Sequence, residues 1–342
     1  MISIKKRGNL LQENVDALVN TVNCVGVMGK GIALQFKMMF PQNFNEYKRA
    51  CERNEVKPCK MFIFDRGRLF GPRFIINFPT KVHWKDKSKI EYIKCGLADL
   101  IYNIQKLEIK SIAIPPLGSG SGGLEWSEVK PLIIEKMELL RDIKVIVYEP
   151  SRSPKPEEIK VSTKKPKMTF GRAALILLLQ SYREIGYGLT QLEIQKLMYF
   201  LQEAGEPLQL KFEKAKYGPY ANNLHHVLQA IENHYIKGYG DRTYESQIHF
   251  LPEGIEKADL YWKENPHKLS NFIKVKQLIE GFETPYGLEL LATVHWIIKS
   301  EGIKNTNEIY EFIQNWTPRK KQLFSIDHIK LAIKRLETTG FF

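Results

Sequence analysis

Cysteine is scarce in this chain: Cys24, Cys51, Cys59 and Cys95 are the four in 342 residues. None stands in a C-x-x-C pair and no histidine pair completes a zinc spacing, which excludes a zinc ribbon or a dithiol redox motif. Reduced thiols in a cytoplasmic protein are therefore expected. The eight histidines and the carboxylates are scattered, so neither a metal nor another cofactor is expected. His225, His226 and His234 read as solvated helix residues rather than a closed metal site. Long apolar runs are also missing. No stretch has the length of a transmembrane helix, and the N-terminus lacks the apolar core of a secretory signal, so no membrane partner is expected. No internal repeat is visible.

Negative charge is in short supply, and unevenly so. Lys and Arg number 51 against 38 Asp and Glu, a net +13. Residues 1–150 carry 24 basic and 16 acidic side chains, residues 151–169 six and two, and residues 170–342 the remaining 21 and 20. The basic surplus thus belongs to the front of the chain and the segment after it. A polyanion such as DNA fits that distribution, although lysine-rich surfaces also serve solubility alone. Length allows two domains, each with its own core.

Glycine, by contrast, is concentrated where it is informative. In Asp16–Lys37 a short apolar strand (Ala17, Leu18, Val19) runs into Asn20 and Asn23. Gly26, Gly29 and Gly31 follow, then an amphipathic helix from about Ile32. A strand opening through glycines onto a helix start presents backbone N–H groups and the positive end of the helix dipole, a design for phosphate. The spacing is neither that of a P-loop, since Lys30 is not followed by Ser or Thr, nor the G-x-G-x-x-G dinucleotide fingerprint. Residues 111–126 repeat the plan: a buried strand (Ile112, Ala113, Ile114), a turn, then Gly118, Ser119, Gly120, Ser121, Gly122 and Gly123. Two such loops at strand ends predict one shared crevice that clamps a diphosphate from two sides.

Together the two loops resemble the macrodomain, the fold that binds ADP-ribose. The wording VNTVNCVGVMGKGIALQFK, with NFPTKVHWK at 77–85, is most similar to the DarG-type DNA ADP-ribosyl glycohydrolase antitoxins. The resemblance covers roughly residues 1–150. It implies that Asn23 contacts the distal ribose and that Val27, Met28, Gly29, Lys30, Gly31 and Ile32 wrap the distal ribose and diphosphate. It implies a catalytic role for Lys81, with Asn23 beside it, and a diphosphate loop from Gly118 to Gly123. Asn20, Thr80, Leu117 and Leu124 flank these positions and join the expected ligand contacts. Asn9 and Leu10 fall where many macrodomains carry an aspartate for the adenine amino group, and Asn9 departs from that pattern. Related enzymes acting on protein carboxylates pair the lysine with an aspartate in the second loop, where this chain has Gly122.

The chemistry can be reasoned beside the resemblance. Breaking the glycosidic bond at C1″ of ADP-ribose passes through oxocarbenium-like charge, for which glycosidases usually use two carboxylates. The first loop has none, and the second has only Glu125, beyond the glycines. Lys81 is the available group: it can protonate the leaving base, orient the substrate, or attack C1″ as an amine. Neighbouring cations (Lys85, Lys87, Lys89) are one way to depress its pKa. A solvated loop lysine is the plainer alternative. In HWKDKSK, His83, Trp84 and Lys85 interleave aromatic and basic groups that suit single-stranded nucleic acid, while Trp84 equally suits packing. Cys24 beside Asn23 reads as a packing residue.

Alternating elements predict an α/β three-layer α/β/α sandwich over residues 1–150. Its strands are expected at 2–6, 16–20, 60–64, 73–77, 111–115 and 143–148, and its helices near 32–39, 44–54, 88–107 and 127–140. Residues 151–168, rich in Pro, Ser and Lys, suit an extended, mobile tether. From 169 to 342 a second, mainly helical domain is expected. Thr190 and Glu193 form a capping box there, and further helices are expected at 173–182, 271–282, 287–299, 305–314 and 326–337. Its KLMYFLQ…KYGPY wording resembles the Panacea-type antitoxin domains, which neutralise toxins by binding them. Tyr217 and Tyr220 are candidate interface anchors or core residues.

The two resemblances therefore imply an antitoxin whose front domain is expected to remove ADP-ribose from thymidine in single-stranded DNA and whose back domain is expected to bind a DarT-type DNA ADP-ribosyltransferase toxin. Open alternatives are a glycohydrolase acting on protein-linked or O-acetyl-ADP-ribose, a non-catalytic ADP-ribose reader, and a transcriptional autoregulator, though no helix-turn-helix pattern stands out.

Overall fold

The computed structural model describes residues 1–68, 71–151, 158–183, 189–240, 248–266 and 269–342. The chain divides into two compact units, Met1–Lys164 and Lys165–Tyr239 with the helices that follow.

The first unit is a mixed six-stranded sheet between helices. The strands are β1 (Ile2–Lys5), β2 (Ala17–Val22), β3 (Phe62–Asp65), β4 (Phe74–Pro79), β5 (Ser111–Ile114) and β6 (Lys144–Tyr148), in the spatial order β1-β6-β5-β2-β4-β3. All neighbours are parallel except β3, which runs antiparallel to β4 at the edge. The two-residue period of a strand splits the apolar side chains between two cores. Ala17, Val19, Ile76, Phe78, Ile112, Ile114, Val145 and Val147 face the core under α3 (Ile90–Lys106) and α4 (Trp126–Met137). Leu18, Ile75, Ala113 and Ile146 face the opposite core, which includes Phe36 of α1 (Gly31–Met39) and Phe40. Tyr47, Ala50 and Cys51 of α2 (Pro41–Glu52) close a further cluster with Val22 and Met28. Burial on both faces explains why the parallel strands read as continuous apolar runs. This is the three-layer α/β/α architecture expected, with all six strands within a few residues of their predicted places.

One expectation about the sulfurs is overturned. Cys59 and Cys95 are joined in a disulfide, their Cα atoms 4.9 Å apart across 36 residues of sequence. The fold lays the turn before β3 against α3, a proximity that no short spacing could announce. Reduced cysteines therefore no longer support a cytoplasmic location. Cys24 and Cys51 are free thiols. Among the described residues no helix is long and apolar enough to cross a membrane.

The segment expected to be a tether is partly held. Ile159 is buried with Leu34 and Met38, and the Ser162 N–H donates to the Met38 carbonyl at 2.9 Å. Residues 152–157 of the same stretch lie outside the described residues.

The second unit is mainly helical: α5 (Phe170–Arg183), α6 (Gln191–Glu203), α7 (Leu224–Ile231), α8 (Pro252–Glu264), α9 (Leu269–Ile279), α10 (Pro285–Ser300), α11 (Thr306–Gln314), α12 (Pro318–Leu323) and α13 (Ile326–Thr338). The Thr190–Glu193 capping box forms at the start of α6. The KYGPY segment is a hairpin, with β7 (Phe212–Ala215) antiparallel to β8 (Gly218–Ala221). Gly218 adopts φ +87°, and a Cβ there would lie 3.0 Å from Thr293 Oγ1. A second short pair joins β9 (Ile236–Lys237) to β10 (His249–Phe250).

Behind the first hairpin lies a buried charge cluster. Glu289 accepts from Lys320 Nζ at 2.7 Å and from Arg319, while Lys196 Nζ donates to the Pro219 carbonyl at 2.6 Å. Burial, with Lys320 adding to it, pushes the Lys196 pKa down to about 7. In the unfolded chain lysine titrates near its ordinary value, so between about pH 7 and 10.5 the unfolded state holds the extra proton and stability rises with pH. We predict that thermal unfolding followed by tryptophan fluorescence shows this rise, and that Lys196→Met flattens it.

Candidate active site

Strands β5, β2 and β4 are adjacent and parallel, so the segments leaving their carboxyl ends meet at one side of the sheet. These segments are the two glycine loops and the Lys81–Lys89 stretch. A crevice outside the carboxyl ends of parallel strands is where α/β sheets place ligands.

The first loop is built by Asn23. Its side-chain oxygen accepts from the Val25 and Val27 N–H groups at 3.0 and 3.3 Å, and its Nδ2 donates to the Val27 carbonyl at 2.6 Å. The buried Tyr47 hydroxyl donates to the Asn23 carbonyl at 2.7 Å. Asn23 thus shapes the loop, and one amide hydrogen beyond these bonds remains for a ligand. The loop delivers the chain to α1, which begins at Gly31 with no side-chain cap at Lys30. Its first N–H groups and dipole are presented to the crevice end of the sheet.

The second loop is a stack of tight turns. Ser119 N–H donates to the Pro116 carbonyl, Gly123 N–H to Gly120 and Leu124 N–H to Gly118, at 3.1, 3.1 and 3.0 Å. Gly118 and Gly123 have φ of +71° and +76°. A Cβ on Gly122 would meet Ser88 Oγ at 2.2 Å and the Gly118 carbonyl at 2.4 Å, so this position admits only glycine.

Lys81 bridges to that loop. Its Nζ donates to the Asp86 carbonyl at 2.8 Å and to the Ser121 carbonyl at 3.2 Å. Burial lowers its pKa below the ordinary lysine value, and Asp86 opposes the shift. The expected direction holds, but the cause is desolvation rather than the neighbouring lysines. With two donors engaged, the amine has one direction left: a third N–H when protonated, a lone pair when neutral.

Ser88 is a residue that sequence reasoning missed. Its N–H donates to the Gly122 carbonyl at 2.9 Å and its Oγ to Thr80 Oγ1 at 3.1 Å. Nothing in the lysine-rich run marks it, because its role comes from being buried between two loops. Asp86 was missed too: its carboxylate accepts the His83 N–H at 3.0 Å.

Several expected contacts lie inside the protein. Asn20 is fully buried, its Nδ2 donating to Asn77 Oδ1 at 3.0 Å and lying 3.8 Å from Met28 Sδ of the first loop. Leu10, Met28 and Leu117 are core residues whose side chains face inward, leaving only their backbone to a ligand. Thr80 is buried and bonded to Ser88. Asn9 caps a short helical turn, its Oδ1 accepting from Leu11 N–H at 3.0 Å, which leaves its amide donors for recognition. Gly29, Lys30, Ile32, Ser119, Gly120, Ser121, Gly123 and Leu124 are at least partly exposed along the two loops. His83, Trp84 and Lys85 form the outer turn next to Lys81. Burial raises the Cys24 thiol to about 11, with Cys51 adding to it, which removes it as a nucleophile. A cavity of about 540 Å³ lies at the opposite end of the strands, lined by Asp16, Arg68, Arg73 and Lys110 among others, and none of the residues described above reaches it.

A family model for the macro domain matches residues 19–133. A DNA ADP-ribosyl glycohydrolase of Thermus aquaticus is 49% identical over 334 residues, spanning 98% of this chain and 92% of that protein. This chain belongs to the DNA ADP-ribosyl glycohydrolase family. The macrodomain of Thermus aquaticus DarG is similar in structure, with 56% identity, 44% of this chain and 99% of that chain covered, and a TM-score of 0.43. A DNA ADP-ribosyl transferase–DNA ADP-ribosyl glycohydrolase fusion protein of Thermosipho africanus is 36% identical over 158 residues, 42% of this chain and 40% of that protein.

The second loop has no room for a side chain at Gly122. Gly122→Ala is expected to weaken ADP-ribose binding by ~10-fold or more through overpacking. Titration calorimetry should show a larger loss than at Gly120→Ala, where a Cβ meets open space.

Proposed function

We propose that the first unit hydrolyses the N-glycosidic link between ADP-ribose and a thymine base in single-stranded DNA. The observation that carries this is Lys81, a partly buried amine anchored on the diphosphate-type loop through the Ser121 carbonyl. ADP-ribose lies along the two loops, its diphosphate on the backbone of Gly118–Gly123 and at the start of α1, its distal ribose beside Asn23. The base side of C1″ faces Lys81, and His83, Trp84 and Lys85 take the DNA strand.

The overall reaction breaks the C1″–N bond, with the electron pair going to the base nitrogen. Water supplies the hydroxyl that remains on C1″ and the proton that restores the base. Because its two N–H bonds go to backbone carbonyls, the neutral amine of Lys81 directs its lone pair into the crevice. This arrangement suits attack on C1″ or proton abstraction from water. No carboxylate dyad is needed in this scheme, and Glu125, exposed ahead of α4, takes no part.

The second unit is proposed to bind the cognate DNA ADP-ribosyltransferase toxin. Support comes from the Thermosipho africanus relative, in which a transferase and a glycohydrolase form one polypeptide.

The test is release of ADP-ribose from an ADP-ribosylated thymidine oligonucleotide. Lys81→Ala and Lys81→Arg are each expected to lower turnover by roughly 100-fold or more. Wild-type kcat/KM should rise with pH through the depressed lysine pKa, since the neutral amine is the acting form. A rate that falls over the same range would make the ammonium the acting form and overturn this scheme. Retained ADP-ribose binding without any release from DNA would reject the enzyme reading in favour of a reader or of a protein-linked substrate.

A further inference from the structure

Eight large apolar side chains are exposed among the described residues of the first unit: Met1, Ile4, Val25, Val27, Val82, Trp84, Tyr102 and Leu139. Four of the eight stand on two segments that are stitched together beside Lys81. Val25 and Val27 belong to the loop after β2, and Val82 and Trp84 to the segment after β4. The Cys24 N–H donates to the Val82 carbonyl at 2.9 Å, and the Cys24 thiol lies 3.5 Å from the Lys81 carbonyl oxygen. Solvent-facing apolar groups gathered at one place mark a surface made to be covered.

Trp84 is held in position rather than loose. The turn that carries it is closed by the Asp86 N–H to the His83 carbonyl at 3.0 Å, by the His83 N–H to the Asp86 carboxylate at 3.0 Å, and by the Lys85 N–H to His83 Nδ1 at 3.3 Å. The indole is 48% exposed on that braced turn. The His83 ring centre is 5.4 Å away and the Lys85 ammonium 5.2 Å from the indole centre. The acid of the turn, Asp86, is engaged with the His83 backbone, while Lys85, Lys87 and Lys89 are exposed. An aromatic face beside cations fits a neutral aromatic ring joined to an anionic phosphate, which is a nucleotide within a strand.

We propose that this rim is a binding site for the unmodified nucleotide next to the ADP-ribosylated one in single-stranded DNA. The neighbouring base stacks on Trp84 with Val82 at its edge, and Lys85 holds the phosphate between the two nucleotides. The valines of the first loop cover the remaining apolar border. Stacking accepts any base, because every base has a π face, so the site reads strand rather than sequence. This inference rests on the glycohydrolase reading for the marked nucleotide itself.

The experiment uses the full chain as wild type, Trp84→Ala and Trp84→Phe. Binding of an unmodified oligothymidylate is measured by fluorescence anisotropy. In parallel, ADP-ribose release is measured from an ADP-ribosylated thymidine mononucleotide and from an oligonucleotide carrying either natural or abasic neighbours. Trp84→Ala is expected to weaken oligothymidylate binding, and to lower the ratio of oligonucleotide to mononucleotide kcat/KM, by ~10-fold each. Trp84→Phe should restore most of both, and wild type should favour natural over abasic neighbours. Equal losses on the two substrates would reveal a merely structural tryptophan and overturn the site, as would unaltered oligothymidylate binding. If no substrate is cleaved but Trp84→Ala still weakens oligothymidylate binding, the strand site stands and the glycohydrolase reading falls. If cleavage proceeds and Trp84→Ala changes neither measurement, only the strand site falls.

Discussion

The first unit depends on how the Lys81–Ser88 segment is fastened to the second glycine loop. Two bonds do it, Lys81 Nζ to the Ser121 carbonyl and Ser88 N–H to the Gly122 carbonyl, while Ser88 Oγ to Thr80 ties the segment to its own base. Both of the first two use backbone carbonyls of a loop that turns at positive φ at Gly118 and Gly123. The lysine and the second glycine loop are consequently one mechanical element. Anything that fills or twists the loop displaces the amine as well. The first loop is organised on a different principle, through the single amide of Asn23 and the hydroxyl of Tyr47 behind it. Rigidity of this kind, set before a ligand arrives, is what places a reacting group accurately.

Much of this was legible in the sequence. Short apolar runs marked the six strands, and the strand–glycine–helix transitions marked the crevice, because both signals are local. What stayed hidden depends on contacts between distant segments. Asn20 read as a ligand contact because it stands next to the loop, yet β2 is central and the side chain falls in the interior against Asn77. Ser88 lay unnoticed in a run of lysines. The Cys59–Cys95 bridge joins residues 36 apart that only the packing of α3 brings together. In the second unit the KYGPY hairpin interrupts an otherwise helical pattern, since its turn is set by Gly218 at positive φ, tucked against Thr293.

The second unit shows why shared wording is not the same as a shared surface. KLMYFLQ and KYGPY meet through Lys196 at the Pro219 carbonyl, and just outside both motifs Gln195 exchanges two hydrogen bonds with the Ala221 backbone. Most of that wording is accounted for by interior packing. Buried charges such as Lys196, Lys320 and Glu289 seldom add stability over apolar groups of the same volume, but they penalise arrangements that leave them unpaired. Lys216 and Tyr217 are the parts of the motif that reach solvent, with the Arg319 guanidinium 5.0 Å from the centre of the Tyr217 ring.

The disulfide encloses the stretch of chain that carries β3, β4, Lys81, Trp84 and Ser88. Everything that lines the crevice from this side therefore belongs to a covalent ring whose ends cannot separate. A transient opening of the crevice leaves the lysine on a tether of fixed length, and reclosure is a search over a small volume rather than over the conformations of an open chain. The glycine loop opposite lies outside that ring. Of the two halves of the crevice, then, one is leashed by a covalent bond, and the other must find it again by hydrogen bonds alone.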